Sequence, residues 1–194
     1  MNNLPDDGTP LAAPPLTRAV LEIDEYAAGL GWEQPARLFA LVDTAQLRAQ
    51  EPVLAGQLGL DEDGESSETP QSTLTPVEQD ELPSGTPLDE FLATIAWPDA
   101  VAGCAMTVER LMLPPSAEDS VPSELQQDGA EERLAEWVAA HPERQEVRMT
   151  VAVLRDGTRE SAVRLREKDA TTEVLTGADL VPGLAQALSA TLED

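Results

Sequence analysis

The stretch Val147-Arg148-Met149-Thr150-Val151-Ala152-Val153-Leu154-Arg155-Asp156-Gly157-Thr158-Arg159-Glu160-Ser161-Ala162-Val163-Arg164-Leu165 decides the fold. Side chains on a strand alternate between two faces, so each arm can be read for its apolar side. Val147, Met149, Val151 and Val153 share one side of the first arm, and Ser161, Val163 and Leu165 share one side of the second. A two-residue Asp156-Gly157 loop would set odd positions against even ones and pair Val151 with Ala162. A three-residue loop, from Arg155 through Gly157, instead sets Met149 against Val163 and Val147 against Leu165, which keeps the apolar sides together. That loop needs positive φ at its third residue, and Gly157 supplies it without a Cβ penalty. The same register opposes Arg148 to Arg164, with Arg166 nearby, on the face away from the valines. Opposed like charges cost stability unless acids pair with them.

Upstream of this hairpin, residues 100–113 read as one long strand with Cys104, Met106 and Val108 on one face and Gly103 marking a bulge. Residues 130–140 form a helix whose apolar stripe is Leu134, Trp137 and Val138, ended by Pro142. Downstream, Leu180, Leu184, Leu188 and Leu192 recur four apart, predicting a helix over residues 177–192. Near the N-terminus Leu16, Val20, Ile23, Ala27 and Leu30 give a further amphipathic helix, with Arg18, Glu22, Asp24 and Glu25 on its other faces as a solvated surface. Residues 37–42 are short and almost wholly apolar, as a buried strand would be. Thr44 is placed to cap a helix over residues 45–58 that Pro52 splits, and Thr86-Pro87 to open a short helix that ends by Ile95. The order is helix, strand, helix, helix, strand, helix, strand, strand, helix. It predicts an α+β, two-layer fold with one mainly antiparallel sheet of about four to five strands covered by amphipathic helices.

Charge bounds the function. The formal net charge is -25, and residues 49–109 contain no Lys or Arg. Residues 61–70 are acidic, polar and free of aromatics, so they cannot bury enough apolar surface to offset the entropy of ordering. Disordered acidic inserts are therefore expected at about residues 61–85 and 114–129, within a single domain over residues 15–192 that follows a disordered tail at 1–14. A field this negative repels nucleic-acid phosphates and anionic bilayers, which excludes nucleic-acid and membrane partners. No segment approaches the roughly eighteen apolar residues of a membrane span, and the acidic N-terminus lacks the features of a secretory signal. With Cys104 as the one cysteine, no intramolecular disulfide can form, and a cytoplasmic location is expected.

Catalytic signatures are absent. There is no P-loop, no Gly-x-Gly-x-x-Gly and no Gly-x-Ser-x-Gly elbow. The start Asp61-Glu62-Asp63-Gly64 lacks the ligand ladder and closing Glu of a calcium loop. No cofactor or metal is expected. His141, the only imidazole, stands at a predicted helix C-terminus, where polar groups relieve exposed carbonyls. Cys104 falls among apolar strand residues, whereas a reactive thiolate needs an electropositive and partly open setting. The candidates left above background are for interaction: the cationic residues Arg148, Arg164 and Arg166, and Trp32 and Trp97 beside turn-forming Gly or Pro.

The segment Ala19-Val20-Leu21-Glu22-Ile23-Asp24-Glu25-Tyr26, followed by Gly31-Trp32-Glu33-Gln34-Pro35-Ala36-Arg37-Leu38-Phe39-Ala40-Leu41-Val42, resembles an uncharacterised family of actinobacterial proteins. The likeness extends to Trp97-Pro98, His141-Pro142-Glu143 and Arg155-Asp156-Gly157. It implies a cytoplasmic protein and carries over no catalytic residue. In element order the chain is also similar to small α+β domains of secretion-chaperone type, which bind polypeptide on a helix-flanked sheet. The expected function is a non-enzymatic protein-interaction or chaperone-like module with a protein partner or as a homodimer. The alternative is an enzyme with an atypical carboxylate/Arg site, His141 included, and no recognisable motif.

Overall fold

The computed structural model describes residues 13–58, 73–80, 82–83, 85–166 and 174–193. In chain order the elements are α1 (Pro15–Leu30), β1 (Arg37–Asp43), α2 (Thr44–Gln50), α3 (Pro52–Gln57), β2 (Leu74–Glu78), α4 (Leu88–Leu92), β3 (Val101–Met112) and α5 (Pro115–Glu118). A 3-10 turn (Ser123–Leu125), α6 (Glu131–Ala140), β4 (Gln145–Leu154), β5 (Arg159–Leu165), β6 (Val174–Gly177) and α7 (Pro182–Thr191) follow. The strands form one antiparallel sheet in the order β2-β1-β3-β4-β5-β6. The fold is α+β, with six strands rather than four or five.

The β4–β5 hairpin takes the register that the valines require. Val147 pairs with Leu165, Met149 with Val163, and Arg148 with Arg164. Gly157 holds φ 88°, and Leu154 N–H donates to Thr158 O at 2.8 Å to close the loop. Between β1 and β3 the register slips next to Gly103, where Leu41 faces Gly103 but Val42 faces Val101, so Ala102 is the extra residue of a bulge.

Helices cover both sides of the sheet, which makes three layers where two are expected. On one side Leu16, Ala19, Val20 and Ile23 of α1 pack on Phe39, Leu41, Ala105, Ala152 and Ala162. The small alanines let the helix sit close to the strands. On the other side Ala185, Leu188 and Leu192 at α7, with Leu92 of α4, pack on Leu38, Cys104, Met106, Val151 and Val153. Pro15 opens α1, where its fixed φ suits the first helical turn, and Gly31 ends it at φ 87°.

Several local expectations change. The expected insert at residues 61–85 contains β2, ordered by pairing with β1, while residues 59–72 and the tail residues 1–12 lie outside the described residues. The segment 114–129 contains α5 and the 3-10 turn, and it buries Ala117 and Leu125. Asp43, not Thr44, caps α2 by accepting from Gln46 N–H at 3.0 Å. Thr44 is buried instead, with its hydroxyl 2.8 Å from that of Thr75. Thr86 makes no cap, because α4 starts after Pro87. The last helix starts at Pro182; Gly177, read as its beginning, ends β6, and residues 178–181 form a turn before the helix.

Candidate functional site

The arginine face is a structural knot under α1. Arg148 and Arg164 oppose each other on β4 and β5, yet each has its own carboxylate. Asp24 of α1 accepts from Arg164 Nη2 at 2.6 Å, with side chains only 2% and 6% exposed. Asp24 therefore belongs to the buried stripe of α1 and not to the solvated surface expected of it. Glu109 of β3 accepts from Arg148 at 3.2 Å and also from the backbone N–H groups of Glu33 at 2.8 Å and Gln34 at 3.2 Å. Arg148 further donates to Gly31 O, and Trp32 stacks on its guanidinium at 4.4 Å. Arg166 stands 5.7 Å from the same ring and pairs with Glu146 at 2.8 Å.

An exposed capture surface is thus not what Arg148 and Arg164 provide; they are buried and fasten α1 and its following turn to the sheet. The cavity beside Arg148, bounded by Gln34, Thr107 and Glu109, is about 10 Å³, room for one water and no substrate. Trp97 is half-buried as well. Its Nε1 donates to Thr191 at 3.0 Å. Arg155, which no sequence signal singled out, reaches from the hairpin loop to Val101 O at 2.8 Å and Leu192 O at 2.9 Å. It also reaches Trp97 O and Pro98 O, both at 3.2 Å, so it ties the Trp97 loop to the end of α7.

His141 lies near Ser120, its Nε2 3.4 Å from the hydroxyl. His141 Nδ1 accepts from Glu143 N–H at 3.1 Å, which puts the imidazole proton on Nε2. A base for Ser120 needs Nε2 unprotonated, so the geometry is that of a capped helix end. Cys104 is fully buried. Burial, opposed in part by the Thr191 hydroxyl and the Arg155 charge, pushes its thiol up to about 11. At pH 8 only about a thousandth would be thiolate, so a disulfide-exchange reagent should leave the native protein unlabelled and label it in denaturant. Rapid native labelling would show instead that α7 opens from β3. Among the described residues no His, Cys, Asp and Glu group could hold a metal ion, and no helix is long and apolar enough to cross a membrane.

Of the open surface sites, a larger, polar one of about 470 Å³ is lined by Pro142, Arg144, Glu146 and Arg166; the more apolar is a groove between α1 and β2, which sequence reading did not find. Ile23 and Phe39 form its buried floor. Tyr26, 45% exposed, and Leu58, 41% exposed, form its walls with Pro76. Tyr26 meets Phe39 edge to face at 6.3 Å, and its hydroxyl donates to Glu78 at 2.8 Å, which raises the phenol pKa. Arg37 pairs with the other oxygen of Glu78. At the rim, burial and then the neighbouring Glu25 raise the pKa of Glu22. The groove encloses about 270 Å³, enough for one or two side chains of a ligand.

No curated protein and no solved structure matches the chain. Residues 16–193 match the family model of the PPA1309-like protein, and since that match spans both faces of the sheet and nearly the whole sequence, the chain belongs to the PPA1309-like protein family.

Proposed function

We propose that this protein is a non-catalytic, cytoplasmic interaction module that takes up a partner polypeptide in the groove between α1 and β2. The observation that carries the reading is the groove itself: an apolar floor of Ile23 and Phe39 with the exposed apolar walls Tyr26 and Leu58 beside it. Exposed apolar surface that lines a concave site and has a polar rim is typical of interaction surfaces. The pairing of Arg148 and Arg164 with acids of their own chain moves the expected contact surface from the arginine face to this groove. The excess of acids over bases disfavours nucleic acid as the occupant.

Leu58→Asp tests the reading, because Leu58 is exposed and lies beyond the end of α3, so the fold should survive. In parallel affinity capture from the native cytoplasm, a stoichiometric partner of the unaltered protein should fall about tenfold or more with the variant, as loss of an interface anchor does. Equal recovery by both proteins would rule the groove out as the contact surface.

A further inference from the structure

We infer that the groove between α1 and β2 is built for an arginine side chain, flanked by apolar residues, on the partner polypeptide. The inference rests on the binding reading above and names its anchor. The floor of Ile23 and Phe39 suits the aliphatic stem of a long side chain, which buries its methylenes while its charged head stays at a polar rim. Carboxylates mark both sides of that rim, Glu22 on α1 and Glu78 on β2. The two oxygens of Glu78 already accept from Tyr26 and Arg37, so Glu22 is the carboxylate that an incoming guanidinium would meet in a charge-assisted hydrogen bond. The Tyr26 ring, half exposed at the wall, offers an aromatic face to a cation.

Other anchors fit less well. A neutral apolar anchor would take Glu22 further from water with nothing to offset its charge, and burial already disfavours that charge. An acidic anchor would meet Glu22, Glu25 and Glu78 together. A second copy of the chain would bring another net charge of -25 to the same surface. A cationic segment is drawn in by the field that repels these.

The raised pKa of Glu22 means that its ionised form costs the native state free energy. That cost is present above the folded pKa and is relieved as pH falls through it. Glu22→Gln should therefore leave the melting temperature at pH 7 unchanged or higher while weakening arginine binding. A merely structural Glu22 would not separate the two readouts.

The probe is the blocked peptide acetyl-Ala-Leu-Arg-Leu-Ala-amide, compared with the same peptide carrying neutral citrulline in place of arginine. Both are titrated into the full chain and followed by the backbone amide NMR signals of Ile23, Tyr26 and Phe39. The arginine peptide should shift these signals and bind about tenfold more tightly than its citrulline form, and Glu22→Gln should remove most of that difference. Equal binding of the two peptides would overturn the arginine anchor and leave the binding reading standing. No shift with either peptide, while Leu58→Asp still abolishes partner capture, would overturn it too. Failure of both the peptides and the Leu58→Asp contrast would remove the binding reading as well.

Discussion

Asp24→Ala is expected to destabilise the protein by about 3–5 kcal/mol, because it removes one member of a buried ion pair and leaves the other charge where water cannot solvate it. The Asp24 and Arg164 side chains are 2% and 6% exposed and meet at 2.6 Å. The pair joins α1 to β5 across the layer that Ala152 and Ala162 make thin. In a domain of this size the loss should lower the melting temperature by roughly 6–20 °C. The double variant Asp24→Leu with Arg164→Met separates ion pairing from packing: replacing both charges with apolar groups is expected to be close to neutral. If Asp24→Ala alone melts within about 2 °C of the unaltered protein, the pair does not hold α1 to the sheet.

This pair also shows where reading the sequence stops. The hairpin register was legible because four odd-numbered residues in one arm and three in the other leave one loop length that keeps them together, and Gly157 at φ 88° confirms the loop. The long strand β3, the break of α2 from α3 at Pro52, and α6 were legible for similar local reasons. Asp24 was not, although Val20, Asp24 and Ala27 stand four and three apart on the stripe that α1 buries. A carboxylate there looks solvated until its arginine, 140 residues away, is placed beside it. The two-layer expectation left one sheet face uncovered, whereas Ala152 and Ala162 on that face are small enough to seat α1. The edge strands β2 and β6 have five and four residues, too few to show a period. Pro76 in β2 argues further against a strand, and is tolerated because β2 is an edge. The groove unites side chains from α1, β1, the end of α3 and β2, so no local pattern could announce it.

Gly103→Ala is the second large effect, expected to cost about 2–3 kcal/mol through overpacking, or roughly 4–12 °C in melting temperature. A Cβ at residue 103 would lie 3.1 Å from Leu154 Cα and 2.7 Å from Leu154 Cδ2, with the Val153 carbonyl oxygen closer still. Two of these three atoms are backbone of the paired strand, so moving a side chain cannot relieve the contact. Relief requires β3 to shift away from β4 at the position where Gly103 faces Leu154. That shift would disturb the neighbouring bond from Arg155 N–H to Ala102 O, 3.0 Å long, and with it the reach of Arg155 to Val101 O and Leu192 O. The strain should therefore spread to α7, which covers Cys104 on the opposite face from the groove. Amide hydrogen exchange can follow this directly: protection in α7 and around Trp97 should fall in Gly103→Ala, while α1 and the groove keep theirs. Uniform loss across the sheet would mean that the bulge merely sets global stability. Unchanged stability would mean that β3 can move off β4 at no cost, and that the close approach at Gly103 does not hold Arg155 in place.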